Sequence, residues 1–341
     1  MYSTLIIGSG NRIKTNYLPA LSCVKEHFEI TGVHSRTEAK RNAVAQKWGI
    51  PSIEKLEQVD FSKVDLVILS ITLKNNKQVL QKLAPYSSNL ILIIDTPVLP
   101  LNDLDAVKVL NKFKKVIVTE DFMNFPQFDL MREFVKKGFL GKLQKIFLEQ
   151  SGYRYHGLAL IRSFSNFEKI VYSQIVSSSQ QDVNINYKFK NGLLGCVKEP
   201  YKRLDGAITL VGDQGILATE EKRIENGLSL YRLKEIWEQE NFQGFKIEGE
   251  NVNLSSQVRF YDSIKSMPNN ENNSHFNVLK TCGLIQVFQS LLELNTHSKY
   301  TVLDGLYDNI ISSLARKYNQ FWDFSGLSFR LKLYLSQMPY R

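Results

Sequence analysis

Residues Leu5-Ile6-Ile7-Gly8-Ser9-Gly10-Asn11-Arg12-Ile13 run an apolar strand into a Gly-x-Gly turn, and the chemistry of that pattern is phosphate binding. Gly8 permits the tight turn. Gly10 lets the backbone approach a pyrophosphate seated at the N-terminus of the following helix, where free N–H groups and the helix dipole favour an anion. Ile13 stands where the full fingerprint has a third glycine, so a plain strand-to-helix turn is the competing reading. The next apolar run ends in His34-Ser35-Arg36-Thr37, with no carboxylate before Glu38. A carboxylate there would hold a ribose 2′-hydroxyl; a hydroxyl followed by a guanidinium suits a 2′-phosphate, with Lys40 or Arg41 one turn on to add charge. The alternative is that Arg36 is a solvated loop residue. The expected cofactor is NADP(H) in preference to NAD(H).

Hydride transfer also needs a substrate carbon against the nicotinamide and often a proton donor. His156, Glu120 and Tyr155 are the candidates: an imidazole suited to general acid–base work, a carboxylate just beyond a strand, and a phenol beside the imidazole. Each has a bland counterpart, as a helix-start histidine satisfied by backbone, a solvated loop carboxylate, and one face of a strand shared with Tyr153. No Ser-His-Asp, Cys-His or two-carboxylate hydrolase arrangement stands out. The three cysteines (Cys23, Cys196, Cys282) are far apart and the five histidines lack ligand spacing, so no metal is expected.

These side chains need a scaffold. Thr4–Ile7, Phe28–His34, Val64–Ile71, Leu90–Ile94 and Val116–Thr119 read as short apolar strands, separated by helical stretches such as Ala39–Trp48 and Lys77–Leu83. That alternation predicts a doubly wound parallel sheet covered on both faces. Beyond Met123 a helix at Phe128–Lys137 leads to a strand at Leu143–Glu149, and a helix from His156 runs to Ile170. Strand-like runs follow at Gln174–Ser178, Val183–Phe189, Gly192–Lys198, Gly206–Val211 and Leu228–Leu233, with antiparallel turn chemistry between them. A long helix opens near Phe276, with Leu284, Val287, Phe288 and Leu291 on one stripe. The fold class is therefore α/β, a Rossmann domain over 1–121 and an α+β domain with a largely antiparallel open sheet over 122–304, then an extension over 305–341. In that extension Tyr307, Ile310, Ile311, Leu314, Tyr318, Phe321 and Trp322 fall on one helical face, and Leu327 to Leu335 alternate as in a strand, although Leu327, Leu331, Tyr334, Leu335 and Met338 also fit a helix.

Several stretches together resemble the Gfo/Idh/MocA family of oxidoreductases, named for glucose–fructose oxidoreductase and inositol dehydrogenase. They are Gly8-Ser9-Gly10 with Tyr17-Leu18-Pro19-Ala20-Leu21, Gly32-Val33-His34-Ser35-Arg36, Ala45-Gln46-Lys47-Trp48-Gly49-Ile50-Pro51, Val64-Asp65-Leu66-Val67-Ile68, Gly138-Phe139-Leu140-Gly141-Lys142-Leu143 and Gly212-Asp213-Gln214-Gly215-Ile216-Leu217. The likeness covers about residues 1–303. It implies a nicotinamide dinucleotide and a sugar, cyclitol or related metabolite, with cofactor contacts from Gly8, Gly10, Asn11, Arg12, Ser35, Arg36, Thr72, Asp95, Thr96 and Pro97. The family's Glu-Lys-Pro triplet, whose lysine meets nicotinamide and substrate, is here Asp95-Thr96-Pro97. Its histidine after the fourth strand matches Asn76, and its Asp-x-x-x-His matches Gly152 and His156. Biliverdin reductases, relatives of that family, also lack the lysine, so an imine or conjugated substrate is open as well. The competing class is a catalytically inactive member acting as a nucleotide-binding regulatory or scaffold subunit.

The chain of 341 residues has a formal charge of +9, with 43% hydrophobic and 23% charged residues. Its lysines and arginines are dispersed and no nucleic-acid motif accompanies them, so nucleic acid is not an expected partner. No apolar run is long enough to span a bilayer, and no secretory leader is read at the start. A cytoplasmic protein with a small-molecule substrate is expected. The apolar tail predicts a homodimer or larger closed homo-oligomer.

Overall fold

Short segments with apolar cores in the first 121 residues become the strands of one parallel sheet, and the central strands are the most apolar and the most buried. In order come β1 (Tyr2–Ile7), a helix that opens with wide turns over Ile13–Tyr17 and continues as α1 (Leu18–Cys23), β2 (Phe28–His34), α2 (Glu38–Trp48) and β3 (Ser52–Ile53). Then follow β4 (Leu66–Leu69), α3 (Asn76–Leu83), β5 (Ile91–Asp95), α4 (Val107–Leu110) and β6 (Lys115–Thr119). The six strands lie in the order β3-β2-β1-β4-β5-β6 and every pair is parallel. Leu66 to Leu69 and Ile91 to Ile94 are all buried. Succession reverses between β1 and β4, so their carboxyl ends flank the crevice in which such sheets bind ligands. The sequence reading missed only β3, too short to show a period.

The computed structural model describes residues 1–179, 182–202, 206–220, 227–250, 252–270, 272–292 and 300–322. Residues 1–121 and 260–306 form one compact unit; 122–259 together with 307–322 fall in the other. The second unit contains α5 (Pro126–Lys136), β7 (Leu143–Glu149), α6 (Arg154–Phe164), β8 (Ile170–Ser178), β9 (Val183–Phe189), β10 (Leu194–Glu199), β11 (Ala207–Gly212), β12 (Gly215–Ala218), β13 (Ser229–Glu238), β14 (Asn241–Gly249) and β15 (Val252–Gln257). After α7 (Tyr261–Lys265) and α8 (His275–Leu292), both in the first unit, come α9 (Val302–Lys317) and β16 (Gln320–Trp322). The ten strands of the second sheet run β15-β14-β13-β12-β11-β7-β10-β9-β8-β16. Pairing is antiparallel except for β10 with β7 and β12 with β13. This is the α/β plus α+β architecture that the periodicity predicts.

Three local readings need correction. The helix from His156 stops at Phe164 instead of reaching Ile170, because Asn166 and Phe167 adopt left-handed backbone, φ 54° and 58°. The stripe on α9 does not continue to Trp322. The helix ends at Lys317, and Gln320–Trp322 pairs antiparallel with Tyr172 to Gln174, giving the outer edge of β8 a hydrogen-bonded neighbour. Nor is α8 buried on a single stripe: Val278, Leu279, Cys282, Leu284, Ile285, Val287, Phe288 and Leu291 are all buried, since the first helix packs on one side and α7 on another. The alternating run Leu327 to Leu335 lies outside the described residues.

The described part of α9 is fastened within the second unit. Arg162 Nη1 meets Asp308 Oδ1 at 2.8 Å with both side chains buried, and the guanidinium lies 4.6 Å over the Tyr307 ring. Removing one partner of such a pair strands a buried charge at a cost of about 3–5 kcal/mol. Asp308→Ala should lower unfolding free energy by about 3 kcal/mol in urea, and Arg162→Met with Asp308→Leu should recover most of it. A loss below about 1 kcal/mol would show that α9 is held otherwise.

Candidate functional site

The turn after β1 is built for glycine. Gly8 has φ +135°, and a Cβ there would lie 2.0 Å from the Ser70 carbonyl oxygen, so no other residue fits. Its N–H donates to His34 O at 2.8 Å, joining the ends of β1 and β2. A Cβ at Gly10, in contrast, would meet nothing within 4 Å: the space there is left for something outside the protein. From this turn opens a cleft of about 560 Å³, with the β1 turn and the end of β2 on one side of the switch point and the ends of β4 and β5 on the other. All ten cofactor contacts expected from the sequence line it, from Gly8 and Arg36 to Thr72 and Pro97.

At the β2 end, Ser9 Oγ donates to Ser35 Oγ at 2.8 Å. Arg41 is buried and spent, with Nη1 on Ser35 O and Nε on Ser52 Oγ, each at 2.9 Å. Lys40, on the exposed side of α2, is therefore the residue that adds charge to the cleft. Arg36 is exposed and forms no hydrogen bond or ion pair among the described residues. Burial, aided by Arg41 and Lys82, lowers the His34 imidazole below its usual range, although its contact with Ile53 O pulls the other way. That end of the cleft therefore takes its positive charge from Arg36 and Lys40.

Asp95 dominates the other end. Its Oδ1 accepts from Arg12 Nε at 2.7 Å, Tyr17 OH at 2.6 Å and Thr119 Oγ1 at 2.8 Å, and its Oδ2 accepts from Ser70 Oγ. Both oxygens are thus occupied from within, and the carboxylate organises the wall instead of reaching for a ligand. Arg12 also holds Asp121 through Nη1 at 2.9 Å. Burial works against the Arg12 charge, but Asp121 and then Asp95 more than restore it, so the guanidinium is raised above its ordinary value and stays charged. Burial, then Asp95, likewise raises the Tyr17 phenol, which remains a neutral donor. Glu120 is fully buried; Thr96 Oγ1, in the cleft wall, donates to its Oε2 at 3.0 Å. Asn76 is buried in the wall with Nδ2 on Val98 O, and its Oδ1 has no partner among the described residues. An anion-accepting turn, an open face at Gly10 and an orphaned acceptor together fit a dinucleotide carrying a carboxamide donor.

His156 and Tyr155 belong to the second unit, on the first turn of α6, their rings 4.3 Å apart, with Phe122 6.3 Å from the imidazole. The glycine in place of the family's aspartate has a packing reason. A Cβ at Gly152 would stand 2.7 Å from Leu148 Cδ1 and 2.8 Å from Gly157 Cα, so α6 sits too close to β7 for any side chain there. Sequence reading missed Tyr17, Ser70, Thr119 and Asp121, whose side chains meet Asp95 and Arg12 from separate elements and leave no local pattern. The three thiols are unactivated, with burial pushing Cys23 and Cys196 to about 11 and Cys282 to about 12. Among the described residues no cluster of three His, Cys, Asp or Glu could hold a metal, and no helix is long and apolar enough to cross a membrane.

The two glycines should respond differently to alanine. Gly8→Ala should lose several kcal/mol of stability through the carbonyl clash and positive φ. Gly10→Ala should keep its unfolding midpoint within about 0.5 kcal/mol while weakening dinucleotide binding at least tenfold, because the methyl fills ligand space. Unchanged affinity in a folded Gly10→Ala protein would place the ligand elsewhere.

Residues 2–122 match the model of the Gfo/Idh/MocA oxidoreductase family, NAD-binding Rossmann fold. No curated protein matches the chain. Among solved structures it is similar to an oxidoreductase from Agrobacterium radiobacter in complex with NAD+, L-tartaric acid and magnesium, at 13% identity over 96% of this chain and 99% of that one, TM-score 0.70. A super-repressor mutant of Gal80p from Saccharomyces cerevisiae is similar to the same degree, 13% identity over 96% and 99%, TM-score 0.70. A putative myo-inositol dehydrogenase from Sinorhizobium meliloti shares 14% identity over 95% of this chain and 100% of its own, TM-score 0.67. At these identities the likeness is one of fold, while the family match rests on the first domain. Over residues 2–122 the chain is thus similar to the NAD-binding Rossmann fold of the Gfo/Idh/MocA oxidoreductase family.

Proposed function

We propose that the cleft binds NADP(H) in preference to NAD(H), and that the protein is a cytoplasmic oxidoreductase moving hydride to or from a small metabolite. The carrying observation is the charge of the β2 end, where Ser35, Arg36 and Lys40 line the cleft and the sole carboxylate among its lining residues, Asp95, is saturated elsewhere. A guanidinium with no partner among the described residues can take a 2′-phosphate bidentately. The family points to a sugar, a cyclitol or a derivative as substrate, and the altered triplet leaves room for an imine or conjugated compound. His156, Glu120 and Tyr155 are the proposed proton donors. Glu120 is linked to the cleft wall by Thr96, whose hydroxyl donates to its Oε2 at 3.0 Å.

The second reading is a nucleotide-binding regulatory or scaffold subunit without turnover. Thr96, a hydroxyl where the family has a lysine, favours it, and so does the likeness to Gal80p. Titration with NADPH and NADH, followed by fluorescence, tests the common part. NADPH should bind more tightly than NADH, and Arg36→Ala should weaken NADPH by about tenfold to a hundredfold while leaving NADH unchanged. Equal affinity for both in the unmodified protein would overturn the cofactor choice, and binding of neither would overturn both readings.

A further inference from the structure

A second cavity, of about 470 Å³, lies against the same turn as the cleft, between the first helix and α2. Ser9, Gly10 and Asn11 line both spaces, and so does Lys40. Lys14, Ala43, Val44 and Lys47 line the second one only. Helical spacing brings them there. Lys40, Ala43, Val44 and Lys47 stand at i, i+3, i+4 and i+7 of α2, so one stripe carries a lysine at each end and two small apolar residues between. Arg41, on another face of the same helix, is buried and fixes α2 beside β2 through Ser35 O and Ser52 Oγ, each at 2.9 Å. Across the cavity, Lys14 sits in the wide first turns of the first helix, its N–H donating to Gly10 O at 3.2 Å. Lys14 and Lys47 are half-buried, and no Asp or Glu is among the described residues that line the cavity.

We propose that this cavity is a second anion site, that it takes a small molecule carrying several phosphates, and that its occupant competes with a dinucleotide 2′-phosphate for Lys40. Each lysine offers three donors and no acceptor, and it meets a phosphate as a point charge. The volume falls within the range of small-molecule sites and would be left mostly unfilled by a single phosphate. Lys40 and Lys47 are about 10 Å apart along the helix axis, at about 1.5 Å per residue, which suits a chain of phosphates or phosphates at the two ends of a small molecule. The site itself does not depend on what the cleft binds, whereas the competition rests on the reading of the cleft as an NADP(H) site. Two anions drawn to one lysine repel each other, so an occupied cavity weakens NADPH and spares NADH, which brings no phosphate to that end.

Inorganic tripolyphosphate is the probe, titrated by calorimetry into the full chain at constant ionic strength. The unmodified protein should bind it, and Lys14→Gln with Lys47→Gln should bind it about tenfold more weakly. NADH affinity should be the same in both proteins, because neither lysine lines the cleft. If the double variant fails to fold, Lys47→Gln alone should weaken tripolyphosphate by about threefold. Saturating tripolyphosphate should raise the NADPH Kd of the unmodified protein by about tenfold and that of NADH by less than about twofold. No binding of the probe, or equal affinity in the unmodified and substituted proteins, would overturn the site. Equal weakening of NADPH and NADH would put the probe in the dinucleotide cleft and overturn the proposal too. Failure of both dinucleotides to bind, with tripolyphosphate still dependent on Lys14 and Lys47, would overturn the cofactor reading and the competition while upholding the site.

Discussion

One carboxylate, that of Asp95, ties together the carboxyl end of the first sheet. Its four donors arrive from the turn helix (Arg12 and Tyr17), from the residue after β4 (Ser70) and from β6 (Thr119). Charge-assisted hydrogen bonds are the strong ones, and here they converge where a parallel sheet would otherwise end in loose loops. A lone buried carboxylate would be costly; one saturated by four donors is a fixed point.

This constraint explains why the cleft has two unlike ends. At the β2 end Arg36 and Lys40 are exposed, and Arg36 has no hydrogen-bond or ion-pair partner among the described residues. At the Asp95 end the charges face one another, and what they present to the cleft is a hydroxyl, Thr96, with a buried carboxylate behind it. The first end suits recognition of a permanent anion. Enzyme and nucleotide-binding subunit share this architecture and part only at the step after binding.

The division between what the sequence revealed and what it concealed follows the range of the interactions. The turn at Gly8 and Gly10, the strands β1, β2, β4, β5 and β6 and the missing carboxylate at Ser35-Arg36 are local, and each was readable from neighbouring residues. So were β7 to β11 and β13 of the second sheet, whereas β12, four residues long, was quoted only within the family likeness. β14 and β15 were not read as strands: Gly244, with φ +146°, and the register shift opposite Ile236/Trp237 break the period of β14, and β15 has only Val252 and Leu254 as apolar residues. The Asp95 cluster was invisible for another reason: Arg12 and Asp121 are 109 positions apart, and Asn16 and Thr281 are 265 apart. Gly152, read as a lost catalytic position, proved to be a packing requirement that only the distance between α6 and β7 could reveal.

Chemical unfolding of Asp95→Asn in urea tests the central claim most directly. The amide keeps the shape but removes the charge and turns one acceptor into a donor, leaving Arg12 half-paired and Ser70 or Tyr17 without an acceptor. The account predicts a loss of about 3 kcal/mol or more with an unchanged slope. A change within about 0.5 kcal/mol would contradict it, because the strand ends would then be held in place without the carboxylate.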